Sequence, residues 1–150
     1  MDPAHLALVL RMYRERYQAL RRHPHDPKDP NHTFYFHIDE HRVIDAKHGG
    51  NSSRWINHSC DPNCALAFER LELVARRPLV AGEELSFNYL TSEWDMAAPF
   101  VCGCGAAACM GTVAGLRHLA PAAQDALAPL VSPYLRRRLA AERDPSRDRA

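Results

Sequence analysis

The sequence predicts a mainly β, α+β domain carrying helices at both ends. Three observations point there. Short β-branched or aromatic stretches occur at TFYFHI (33–38), LELVA (71–75) and ELSFN (84–88). Glycine, proline and aspartate punctuate the intervals between them. Apolar residues recur at helical spacing over 4–22, and the chain becomes Ala/Leu-rich after Gly111.

Taken in order, residues 4–22 place Leu6, Val9, Leu10, Tyr13, Tyr17 and Leu20 on one face of a helix. Arg11, Arg14, Arg16 and Arg21 lie on the others. Pro24 and Pro27 end it. HPHDPKDPNH (23–32) is a loop whose three histidines lack partners at metal-ligand spacing. A strand over 33–38 turns at Asp39 and Glu40 into a second over 42–45, and Gly49, Gly50 and Asn51 break the pattern. Strands at 71–75 and 84–88 flank a turn at Ala81 and Gly82. Pro121 is placed to open a helix, and Pro133 separates two helical segments, the second ending near Ala141. The closing RDPSRDRA has the composition of a disordered tail.

With 150 residues the chain suffices for one domain with a real core. Its apolar fraction of 46% is ordinary for a globular protein. A net charge of +1, with both signs dispersed, argues against a nucleic-acid-binding surface, which needs clustered cations. The basic runs Arg21–22 and Arg136–138 read as solvated helix faces. No apolar run approaches the ~20 residues of a membrane span. The opening MDPAHLALVL carries an aspartate where a leader peptide is basic. Five cysteines without secretory features fit a reducing, intracellular compartment, whether cytoplasm, nucleus or chromosome.

VCGCGAAACMG sets Cys102, Cys104 and Cys109 in a C-x-C-x4-C arrangement, and Gly103 and Gly105 let the backbone turn tightly between the thiols. Three thiolates leave a tetrahedral zinc one ligand short, so Cys60, Cys64 or a histidine must complete it. Cys60 lies in RWINHSCDPN (54–63), a segment in which every side chain but Ile56 can donate, accept, ligate or fix a turn.

GNSSRWINHSCDPNC, then GEELSFNY, then C-x-C-x4-C: in this order the motifs resemble the SET-domain protein lysine methyltransferases, from about Tyr35 to Gly111. The resemblance implies small curved sheets in which the NHSC and F-x-Y segments cross in a knot-like arrangement. It implies that Arg54, Asn57, His58 and Tyr89 hold the methyl donor S-adenosylmethionine. Tyr89 matches the catalytic tyrosine and Tyr35 a second tyrosine of the lysine channel. Phe87 stands where Phe resembles members that go past monomethylation. Cys60 matches the fourth zinc ligand beside Cys102, Cys104 and Cys109, in what the family calls a post-SET loop. The implied units are an insert-like N-terminal region (1–32), a catalytic core (33–92), the zinc loop (93–113) and a helical extension with its tail (114–150). The implied partner is a protein presenting a lysine, a histone or histone-like chain among others.

Physical chemistry makes sense of these residue types. A lysine amine with pKa near 10.4 costs about 4–5 kcal/mol to present neutral at pH 7. A sulfonium charge nearby favours loss of that proton, so no dedicated general base is required if water carries it away. Two tyrosine hydroxyls and backbone carbonyls would align the amine for in-line displacement. The chain departs from the family in one respect. Its only G-x-G is Gly103-Cys104-Gly105, whereas members open on two strands whose G-x-G turn cradles the donor. An N-terminally longer natural protein, or a sheet completed by the N-terminal helix or a second subunit, keeps the enzyme reading. A catalytically impaired, zinc-stapled binding module is the alternative.

Overall fold

The computed structural model describes residues 10–11, 20–21, 35–46 and 51–144. Among the described residues the strands form four small sheets. In the first, β1 (Leu10–Arg11), β7 (Glu72–Ala75) and β6 (Cys64–Ala67) run antiparallel in the order β1-β7-β6. In the second, β2 (Leu20–Arg21), β4 (Arg42–Asp45) and β3 (Tyr35–His37) run antiparallel in the order β2-β4-β3. The third is a parallel pair, β5 (Asn57–His58) with β8 (Ser86–Phe87), and the fourth a hairpin, β9 (Phe100–Val101) with β10 (Thr112–Val113). Helices α1 (Pro121–Leu127) and α2 (Pro133–Glu142) follow.

The helix expected over 4–22 is corrected at the four positions described. Leu10 and Arg11 pair with Leu73 and Glu72, and Leu20 and Arg21 with Val43 and Arg42. Each supplies hydrogen bonds that would otherwise be missing at a sheet edge, and such pairing overrides a local helical period. The rest of that stretch, and the loop 23–32, lie outside the described residues.

The central strands follow their sequence pattern. Val43 and Ile44 are buried, and Asp39 makes the preceding turn by accepting from the His41 and Arg42 amides at 2.9 Å each. Leu73 is buried on β7 opposite Leu66 of β6. Between β6 and β7, Leu71 takes the left-handed φ of 54°, a strained choice for a branched residue. What aligns the parallel pair is Asn63. Its buried amide donates to Glu83 Oε1 at 2.9 Å and to the Glu84 carbonyl at 2.8 Å, and its oxygen accepts from the Ser86 amide at 2.9 Å. Arg77 holds the same Glu83 carboxylate by an ion pair.

The helical end packs against the segment that follows β8 and against β10. Leu90, Val113, Leu116, Val131 and Leu135 form one fully buried cluster with Trp94. Each such aliphatic side chain contributes about 1.5–3 kcal/mol through area removed from water. Pro121 and Pro133 begin their helices as the sequence suggests, where a missing N–H costs nothing. Ser132 caps α2 by accepting from the Leu135 amide, and its own amide donates to Thr91 O at 2.8 Å. Arg143, the first residue of the expected tail, is tied down: it bonds Asp125 and Gln124 of α1 at 2.7 Å each. Residues 145–150 lie outside the described residues.

Gly115 lets the chain close against Trp94 at the edge of this cluster. Its φ is +116°, and a Cβ there would sit 2.4 Å from the Trp94 carbonyl oxygen. Gly115→Ala is therefore expected to cost about 3 kcal/mol from strain and overpacking. That corresponds to a fall in Tm of roughly 6–12 °C for a domain of this size. A circular-dichroism melt checks it, and an unchanged midpoint would contradict the packing described.

Candidate functional site

The polar segment and the F-x-Y segment meet in the parallel pair, with Asn57 opposite Ser86 and His58 opposite Phe87. Ser59 N–H extends the ladder to Phe87 O at 3.2 Å. Just beyond, Asn88 caps a 3-10 turn, Tyr89–Thr91, accepting from the Leu90 amide at 3.0 Å. That turn swings the Tyr89 ring back over β5. Its hydroxyl donates to the Ile56 carbonyl at 2.7 Å, and its backbone N–H donates to His58 Nδ1 at 3.1 Å. Burial, then the Glu93 charge, raise the Tyr89 phenol, so it stays protonated at neutral pH.

Because His58 Nδ1 accepts, the ring proton sits on Nε2, which lies 3.3 Å from Cys60 Sγ. Both ring nitrogens are engaged inside the protein. One imidazole thus joins the Tyr89 turn to the cysteine cluster. Its rim is aromatic: the His58 ring lies 5.2 Å from Tyr89 and 5.7 Å from Phe100, and Phe87 stands 4.8 Å from Tyr89.

The four sulfurs of Cys60, Cys102, Cys104 and Cys109 lie within 4.8 Å of one another, with Cys60 and Cys102 4.0 Å apart. A tetrahedral zinc with bonds of ~2.3 Å requires sulfurs about 3.8 Å apart, so the donor set fits that ion by number, chemistry and spacing. Gly105 and Gly111 take φ of +70° and +73° in the loop that wraps it. Met110 N–H points at Cys60 Sγ from 3.4 Å, the kind of second contact that steadies a metal-bound thiolate. Burial pushes the Cys60 thiol up to about 12, whereas backbone amides bring Cys104 down to about 6. Cys64 takes no part; it is buried on β6 opposite Ala75.

A small cavity lies against this parallel pair, lined by Phe36, Arg54, Ile56, Phe87, Tyr89 and Glu93 among others. Of the expected channel residues, Phe87 and Tyr89 are there together and Arg54 joins them. Tyr35 does not line this cavity; Phe36 does. Arg54 donates to the Ala46 carbonyl at 3.3 Å and stacks 4.8 Å from the Trp55 ring. Asn57 is exposed and donates to Glu84 Oε1 at 2.6 Å. Trp94 is packing, buried in the helical cluster, whereas Phe100 belongs to the site's rim.

Several contributors escape sequence reading. Strand parity in TFYFHI could have favoured Phe36 had the buried face been known. Asn63 and Asn88 resemble ordinary turn residues until the Asn63 amide is seen to tie the two segments together and Asn88 to cap the Tyr89 turn. Glu93 gives no signal at all, since an acid after a turn reads as solvated surface.

Comparison with known proteins follows the same residues. The family model described as SET domain matches residues 7–90. A histone-lysine N-methyltransferase, H3 lysine-4 specific, of Emericella nidulans is 40% identical over 86 residues, covering 53% of this chain and 7% of that protein. Histone-lysine N-methyltransferase trr of Drosophila melanogaster is 39% identical over 82 residues, covering 51% and 3%. An H3 lysine-36 specific enzyme of Mycosarcoma maydis is 36% identical over 90 residues, covering 56% and 9%. The matches therefore span less than a tenth of these relatives' length.

Proposed function

Because this chain belongs to the SET-domain family, we propose that it is an S-adenosylmethionine-dependent protein lysine N-methyltransferase acting on a histone or histone-like protein. The observation that carries the reading is the parallel pairing of β5 and β8, with Tyr89 folded back so that its hydroxyl is fixed on Ile56 O. That arrangement would be the site's share of a knot-like crossing. Zinc on Cys60, Cys102, Cys104 and Cys109 would make 93–113 a post-SET loop and fasten it to the crossing. Residues 33–92 would be the catalytic core, 1–32 the insert-like region and 114–150 the helical extension.

S-adenosylmethionine, when bound, supplies a methyl group on a sulfonium whose electron pair returns to sulfur. The chain's residues position the acceptor. Arg54, Asn57 and His58, with Tyr89, would hold the donor; Tyr89 and Phe87 would wall the lysine channel, Phe87 leaving room beyond the first methyl. Tyr35, the residue before Phe36 on β3, would be the second tyrosine of the channel. A nuclear or chromosomal location follows from such a substrate, and among the described residues no helix is long and apolar enough to cross a membrane.

The test uses zinc-loaded protein, radiolabelled S-adenosylmethionine and core histones. Label on histone lysines supports the reading. A folded protein that neither labels histones nor binds the donor in calorimetry would overturn it.

A further inference from the structure

The channel carries a carboxylate that the family resemblance does not explain. Glu93 lines the cavity with Phe36, Phe87 and Tyr89, so an acid stands among aromatic walls. Its backbone is locked on both sides: its amide donates to Tyr89 O at 2.8 Å, and its carbonyl accepts from the Leu116 amide at 2.9 Å. The side chain therefore has a fixed root next to the Tyr89 turn. Among the described residues, no hydrogen-bond donor or cation satisfies the carboxylate. A half-buried acid without a partner carries a desolvation cost, and one that opens onto a cavity is placed to take a cationic ligand.

We propose that Glu93 receives the side-chain ammonium of the substrate lysine and accepts its proton, so that the amine reaches the methyl donor uncharged. The inference rests on the methyltransferase reading and names a residue of the same channel. The proton transfer balances simply. An N–H bond of the ammonium breaks, an O–H bond forms on Glu93 Oε, and the electron pair stays on nitrogen. The proton then leaves Glu93 for solvent through the cavity mouth. In a poorly hydrated channel the neutral acid and neutral amine are favoured over the ion pair, which is the direction the chemistry needs.

The groups facing Glu93 do not compete for this role. Arg54 and Tyr89 line the same space, and the Tyr89 phenol is pushed up by burial first and the Glu93 charge second. Arg117 and His118, beside Leu116, are engaged by Asp95, and Arg138 of α2 lies over Trp94. Burial alone raises the Glu93 carboxyl to about 8. As pH climbs through that region the carboxylate becomes available, so kcat/KM should rise with it.

The experiment compares full-length, zinc-loaded wild type with Glu93→Gln, which keeps the shape and removes the titration. In carbon-13 spectra of glutamate-labelled protein, the Glu93 carboxyl resonance, identified by its loss in the variant, should titrate well above an ordinary glutamate. It should move on adding n-butylammonium chloride, and the variant should bind that probe roughly tenfold more weakly. In methyl-transfer assays the variant should show KM for the protein substrate raised roughly tenfold and no rise near pH 8, with donor affinity unchanged. Matching KM and pH profiles in the two proteins would overturn the role of Glu93 while leaving the activity intact. Absence of turnover in wild type would instead sink the methyltransferase reading. The butylammonium titration then decides on its own: equal binding, or a resonance that no probe concentration moves, rejects the ammonium site.

Discussion

Tyr89→Phe will lower turnover by roughly 100-fold or more while S-adenosylmethionine still binds, a magnitude typical of removing one preorganised polar group from a reacting centre. The hydroxyl is held by a hydrogen bond to Ile56 O, in the residue before Asn57, so under the proposed function its oxygen lone pairs would orient the incoming amine. Loss of that bond alone would cost only about 1 kcal/mol in stability. The backbone N–H that engages His58 is untouched by the substitution. A melting curve near wild type with transfer abolished is therefore the expected pair of results. Retained methylation at wild-type rates would move the orienting role elsewhere in the cavity.

Cys60→Ala should weaken zinc binding by more than about 100-fold, because three of four thiolates remain and the ion must take water or a poorer ligand. The effect should reach beyond the metal. Cys60 is the one sulfur of the four that comes from the 54–63 segment, so it ties residues 42 positions apart in the chain. Without it, His58 Nε2 and the Met110 amide both lose their sulfur partner. Metal content by plasma emission spectrometry and a thermal melt check the prediction together. Zinc at wild-type stoichiometry with an unchanged Tm would show that the fourth ligand is another residue.

What could be read in the sequence depended on whether the signal was local. The strands around 35–37, 42–45 and 72–75 are visible because β-branched and aromatic residues alternate between turn residues. Pro121 and Pro133 are visible because proline has few places in a helix. The cysteine loop announces its own spacing, and the sulfurs do converge. Leu10 and Leu20 misled because helical spacing is also compatible with isolated extended pairs, and only the partners Leu73 and Val43 distinguish them. The Tyr35 assignment illustrates a related limit. A strand's period is readable, but which parity faces the cavity depends on sheets formed far away. The β9–β10 hairpin was hidden because its two strands are two residues each and enclose the metal loop.

The burial of Leu90 beside α2 bears on how this protein should be handled in the laboratory. A fragment trimmed to the residues shared with its relatives would stop at the border of the family match, retaining Tyr89 yet discarding Val113, Leu116, Val131 and Leu135. The Tyr89 ring would then be mounted on a floor of wet hydrocarbon, with Thr91 O stripped of the Ser132 amide that steadies it. Shortened versions of this chain would be expected to precipitate or to lie idle, and their silence would say nothing about the chemistry of the whole.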